Sequence, residues 1–276
     1  MKTKIDVVYH DHCYDGFGAA FAAWKHLGED AHYIACQHGE EVPYDQLGGK
    51  TLYIVDFSWP KDILETLSKM YKKIIIIDHH KTAQESLSSI DIENIEVNFD
   101  MTKSGALMTW EYFHEEDAPK LIQYISDRDL WKFELPDSAA VHAGLQGKPM
   151  RFDVWDGLIS DPDKLSNLIT TGSILLTDQQ QRVERICKEA YMTDFFGDRE
   201  IPVVNTSVHW SEIGNTLCKM FPDAPFAASF TVKEDTIMFS LRSIGDFDVS
   251  AIAKKFGGGG HKNAAGFQTP KTGKLP

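Results

Sequence analysis

Apolar and polar positions fall in alternating blocks along the first half of the chain. Residues 5–9 form a short stretch rich in β-branched side chains, Thr51–Val55 a second, and 74–77 a third that is isoleucine at every position. Short apolar runs bounded by polar residues predict strands, and an uninterrupted one predicts a parallel strand covered on both faces. Helical patterns lie between them. The Ala-rich stretch 16–24 is expected to stop near Gly28, and Pro60 suits the first turn of a helix with Ile63, Leu64, Leu67 and Met70 on one face. Further helices are expected over 105–114 and 119–126. Strands alternating with helices imply βαβ units and a parallel sheet.

From about residue 161 to 198 the pattern is mainly helical, and 178–190 is polar apart from a side formed by Val183, Ile186 and Cys187, as in a connector helix. Beyond Ile201 a new unit begins: a strand at 203–204, a helix near 212–221, strands over 226–232 and Thr236–Arg242, and a helix over 249–256 that runs into four glycines. The expected fold class is α/β. An N-terminal parallel-sheet domain would occupy 1–172, a helical connector 173–198, and a smaller α/β C-terminal substrate-binding domain 199–276.

Composition narrows the function. With 42% hydrophobic residues in 276, the chain can build two packed cores, which excludes disordered and collagen-like classes. Its 28 Lys+Arg against 41 Asp+Glu leave a net charge of −13, which argues against binding long duplex nucleic acid but not against a small anion gripped through metal ions. The 4 cysteines lack metal-finger spacing and read as reduced thiols. Asp6 interrupts the only apolar stretch near the start, so a signal peptide is not expected, and 74–77 is far too short to span a bilayer. A soluble, cytoplasmic protein without membrane partners is expected.

Each predicted strand of the first domain delivers ligand-type residues at its carboxyl end: His10, Asp11, His12, Cys13 and Asp15 after the first, Asp56 after the second, Asp78-His79-His80 after the third. In open α/β sheets ligands bind at that end, where strand order reverses. Singly, such residues serve as helix caps or turns. Converging, they repel unless a cation joins them, and a pair of divalent ions such as Mn²⁺ suits mixed oxygen and imidazole donors. Near 126–131, Asp127 or Asp129 could add a carboxylate, or could pair with Arg128. In the second domain the glycines at 257–260, followed by His261 and Lys262, either expose backbone N–H groups to an anion or form a flexible linker, and Arg242 offers a fork for phosphate.

The series His10, Asp15-Gly16, Asp56, Asp78-His79-His80 and Asp127 resembles the four metal-binding motifs of the DHH phosphoesterase superfamily. Ser240–Ser243 and the stretch 257–267 resemble that family's nucleotide-type associated domain. The resemblance implies two divalent cations, expected to be Mn²⁺, with Asp56 bridging them, Asp15, His79 and Asp127 completing one shell and His10 in the other. Asp78 would orient its neighbours. His80, Ser104, Arg242, Gly258, Gly259, Gly260 and His261 would meet the substrate, and Asp15, Asp56, Asp78, His79 and His80 would form the catalytic set. One departure is clear: most members carry Asp-x-Asp where this chain has Cys13-Tyr14-Asp15. Cys13 either ligates as a thiolate, favouring ions softer than Mg²⁺, or fills buried space while His12 or Asp11 compensates.

The resemblance further implies a phosphodiesterase that cuts linear diribonucleotides such as pGpG and pApA, and very short oligoribonucleotides, to mononucleotides by in-line attack of a water bridging two ions. Cyclic mono- or dinucleotides are the alternative substrates, pyrophosphate or polyphosphate a more distant one. A nucleotide-binding protein with a decayed site is the alternative of another class. A homodimer is left open.

Overall fold

The computed structural model describes residues 4–197 and 199–271, so the expected domain limits at 1, 198 and 276 lie outside the described residues. The chain divides into two compact units, Met1–Leu176 and Thr177–Pro276.

In the first unit five parallel strands, β1 (Ile5–His10), β2 (Ala31–Cys36), β3 (Thr51–Val55), β4 (Lys73–Asp78) and β5 (Ile95–Phe99), lie in the order β2-β1-β3-β4-β5. Three of these were expected. β2 carries His32 and shows no clean alternation, and β5 sets Glu96 and Asn98 between its apolar residues, so neither reads as a continuous apolar run. Strand order reverses between β1 and β3, which creates a crevice at their carboxyl ends.

Both faces of the sheet are covered. Ile74 and Ile76 of β4 join Val8, Ile54, Leu64 and Leu67 in one core. Ile75 and Ile77 pack on the other side with Val7, Val55, Ala19 and Ala23. The helix α1 (Tyr14–Leu27) presents a run of small residues, and a Cβ on Gly18 would lie 2.8 Å from Ala106 Cβ, so this face brings α1 tight against α4 (Gly105–Phe113). Helix α2 (Lys61–Ser68), on the opposite face, buries Leu64 and Leu67, but it ends before Met70, which is exposed rather than part of the apolar stripe. Helix α3 (Lys81–Leu87) follows β4. Helix α5 (Lys120–Asp129) continues past the expected end at 126, which decides the geometry of Asp127 and Asp129. Helices α6 (Ser138–Leu145) and α7 (Phe152–Ser160) complete the unit's helical layer, and α8 (Pro162–Cys187) crosses the boundary at 176.

The helical character expected up to 198 stops at Cys187, because Tyr191–Phe195 forms a strand, β6. The second unit is a six-stranded mixed sheet in which β6 is followed by β7 (Arg199–Asn205), β8 (Ala227–Val232), β9 (Thr236–Arg242), β10 (Gly259–His261) and β11 (Ala264–Pro270), in the order β10-β11-β9-β8-β7-β6. Helices α9 (Trp210–Met220) and α10 (Val249–Lys255) pack on it. Among the described residues no helix is long and apolar enough to cross a membrane.

Candidate metal centre at the strand-order reversal

Asp56 is the pivot. It follows β3 directly, is 1% exposed, and has a positive φ of 51°, a conformation that Asp tolerates better than most residues and that bends the chain at the crevice. Gly105 makes room for it, since a Cβ there would lie 2.5 Å from Asp56 Cβ. One carboxylate oxygen, Oδ1, is 3.1 Å from His79 Nε2, and the other, Oδ2, is 3.6 Å from His10 Nδ1. Both oxygens and His10 Nδ1 are buried without a hydrogen bond of good geometry among the described residues. Burial alone would raise the Asp56 pKa, but His10 and His79 outweigh it and hold the carboxyl well below its usual range.

Around His79 Nε2 stand two more carboxylates, Asp15 at 3.4 Å and Asp129 at 3.6 Å. Asp15 lies in the first turn of α1 and accepts hydrogen bonds from Gly105 N (2.6 Å) and Ala106 N (3.1 Å), the first amides of α4. Burial, then the charges of Asp56 and Asp129, still push its pKa well up. Burial likewise raises Asp129. Burial opposes a charged His79, yet its three acidic neighbours overcome this and lift its pKa to about 10. One imidazolium cannot neutralise three carboxylates, two of them, Asp15 and Asp56, buried. A bound cation resolves the repulsion, so the donor set fits a metal centre.

Groups of ligand atoms within 4.8 Å of one another include Asp15, His79 and Asp129; His10, Cys13 and Asp56; and Asp56, Asp78 and His80. Cys13 sits at the N-terminal cap of α1 without capping through its side chain. Burial first, then Asp56, Asp129 and Asp15, raise its thiol pKa. Of the two nearby histidines it is His10 that faces Asp56. His12 has φ 55° and a largely exposed ring beside Asp11, whose Oδ1 accepts its backbone N–H.

Asp127 is a correction. Its carboxylate accepts from Glu134 N (2.9 Å), Leu135 N (3.1 Å) and the Ser138 hydroxyl, so it fastens the loop after α5. Residues two apart on a helix point roughly 200° apart. Only one of the pair can face the crevice, and it is Asp129. Arg128 stacks on Trp131, 4.2 Å from the ring centroid. Ser104 is a second correction. It is fully buried and caps α4, accepting from Leu107 N, so it supports the Asp15 pocket rather than meeting substrate.

Asp78 is fully buried and holds the motif together. Its Oδ1 accepts from His79 N (2.7 Å) and His80 N (3.2 Å), lies 2.6 Å from His80 Nδ1, and Oδ2 accepts from Ser58 Oγ. Burial raises it, but His80 and Ser58 bring the pKa down to about 2. The bond to Nδ1 fixes the orientation of the His80 ring. Another imidazole, His38, stacks on Phe57 at 4.5 Å and lies 5.4 Å from His10. Burial and the neighbouring histidines lower its pKa to about 4. It follows β2, so recognising that strand would have pointed to it.

In the second unit Arg242 donates to Ser211 Oγ (2.8 Å) and Ser240 Oγ (3.0 Å), and its stem packs where a Cβ on Gly214 would be. The glycine run is not a linker. Gly257 (φ 76°) ends α10, a Cβ on Gly258 would lie 2.1 Å from Gly266 O, and Gly259 to His261 pair with β11.

Residues 201–276 match the DHHA1 domain. The chain is 31% identical over 287 residues to uncharacterized protein R106 of Acanthamoeba polyphaga mimivirus, covering 96% of this chain and 68% of that protein. It is 24% identical over 306 residues to oligoribonuclease NrnB of Bacillus subtilis, covering 94% and 71%. In fold it is similar to a solved DHH domain from a protein described as a member of a ribosomal-protein family (TM-score 0.64, 12% identity, 98% and 83% covered). It is also similar to the pGpG-specific phosphodiesterase PggH of Vibrio cholerae (TM-score 0.50, 12% identity, 97% and 94% covered). The chain belongs to the DHH phosphoesterase superfamily, with the nucleotide-type C-terminal domain.

Proposed function

We propose that this chain is a metal-dependent phosphodiesterase that hydrolyses linear diribonucleotides, pGpG and pApA among them, and very short oligoribonucleotides to mononucleotides in a reducing cytoplasm. The observation that carries the reading is Asp56, buried between two ligand groups with one carboxylate oxygen toward each. Two divalent cations, Mn²⁺ for preference, would supply Lewis-acid activation of water and charge neutralisation at the phosphoryl group. Asp15, His79 and Asp129 would hold one ion and His10 the other, with Asp56 shared. Asp78 keeps His79 and His80 in place, and His80, fixed through Nδ1, is the group that meets the scissile phosphate. Arg242, oriented by Ser211 and Ser240, and the hairpin strand Gly259–His261 would bind the nucleotide. The names of the relatives NrnB and PggH support this substrate class. Net charge −13 supports short substrates over long polyanions.

The test is incubation with Mn²⁺ and, separately, pGpG, cyclic di-GMP, cyclic AMP or pyrophosphate, with products resolved by chromatography. Mononucleotides from pGpG are expected. Turnover confined to a cyclic nucleotide or to pyrophosphate would replace the reading, and nucleotide binding without any turnover would favour a decayed site.

A further inference from the structure

We propose that Cys13 is a thiolate ligand and that it makes the two metal positions chemically unequal. His10 Nδ1, Cys13 Sγ and an Asp56 oxygen form a nitrogen–sulfur–oxygen set that takes a softer ion, Co²⁺, Fe²⁺ or Zn²⁺, than the neighbouring position. The inference rests on the metal-centre reading above and deepens it.

Three observations carry it. One ligand atom from each of His10, Cys13 and Asp56 lies within 4.8 Å of the others, whereas the neighbouring group of Asp15, His79 and Asp129 contains no sulfur. Asp56 is 1% exposed, and both its oxygens and His10 Nδ1 are buried without a hydrogen bond of good geometry among the described residues, with only the long His10 and His79 ion pairs beside them, so a cation would complete them. Cys13 is the N-cap residue of the 14-residue helix α1, directly after the loop that follows β1, and its side chain makes no capping hydrogen bond that would commit the sulfur to the helix.

Thiolate donors favour soft and borderline ions, and carboxylate and imidazole sets accept Mn²⁺. Ion entry breaks the S–H bond, releases the proton to solvent and forms the metal–sulfur bond, with no change of oxidation state. Two positions a few ångströms apart would therefore differ in ion preference, and the identity of residue 13 sets which ion the first one selects.

The experiment is a titration of Co²⁺ into the metal-free full-length chain, followed by absorption spectroscopy and by counting bound ions. Wild type is expected to bind two ions and to develop a thiolate-to-cobalt charge-transfer band in the near ultraviolet. Cys13→Ser should lose the band while keeping the ion at Asp15, His79 and Asp129; the other three cysteines remain in this variant and serve as an internal control. Cys13→Asp should also lack the band, and in competition its first position should shift toward Mn²⁺ by about tenfold or more. Two bound Co²⁺ with no sulfur band, or an unchanged spectrum in Cys13→Ser, would overturn the thiolate assignment and leave the metal centre standing. Failure of wild type to bind Co²⁺ or Mn²⁺ at all would remove the metal centre itself and this inference with it.

Discussion

Replacing Gly105 with alanine would set a methyl group 2.5 Å from Asp56 Cβ and 2.7 Å from its Oδ1, where ordinary contact begins at 3.4 Å. Either the carboxylate or the first turn of α4 must then retreat by about 1 Å, and a shift of that size in a positioned group can cost ~10²-fold in rate. The same first turn supplies the two amides that hold Asp15, so both ligand groups are disturbed together. Overpacking costs about 1–3 kcal/mol, partly offset by the ~1 kcal/mol by which alanine favours a helix over glycine. Gly105→Ala is therefore expected to fold, with a melting temperature lowered by only a few degrees. Calorimetric titration should show metal affinity down about 10–100-fold, and turnover of pGpG should fall with it. Gly147→Ala is the control, because its nearest neighbour, Gly144 O, lies at an ordinary 3.7 Å. Wild-type metal affinity in a well-folded Gly105→Ala would refute the placement of Asp56 against α4.

Asp129→Asn should reduce bound metal and activity without loss of stability, whereas Asp127→Asn should keep the metal but lower stability by about 1–3 kcal/mol through its loop contacts; the reverse pattern would contradict the assignment. Arg242→Ala should raise KM for dinucleotides about tenfold with metal content unchanged, and an unaltered KM would show that the nucleotide is held elsewhere. Asp6, which accepts from Gly48 N, Gly49 N and Tyr71 Oη, ties the loop before β3 to the sheet. Asp6→Ala should cost roughly 3 kcal/mol of unfolding free energy in denaturant titration while leaving the metal count intact; a change in metal count would show that this loop shapes the centre.

The parts of the centre that follow strong strands were legible in the sequence, because an apolar run fixes where the carboxyl end falls and hence where His10, Asp56 and Asp78-His79-His80 point. Asp129 and His38 were less so. Asp127 and Asp129 differ only in helical phase, and α5 had to be known to continue to 129 before one could be chosen. His38 follows β2, whose mixed pattern hides it. The glycines show a different limit: Gly105 is required by a neighbour distant in sequence, Asp56, which no local pattern reports.

The most direct measurement is anomalous diffraction from crystals grown with Mn²⁺, paired with metal counting on Asp56→Asn. Two ions about 3.5–4 Å apart, one on each side of the Asp56 carboxylate, are expected, and the variant should lose at least one of them. A single ion away from Asp56, or an unchanged count in the variant, would contradict the shared-carboxylate centre.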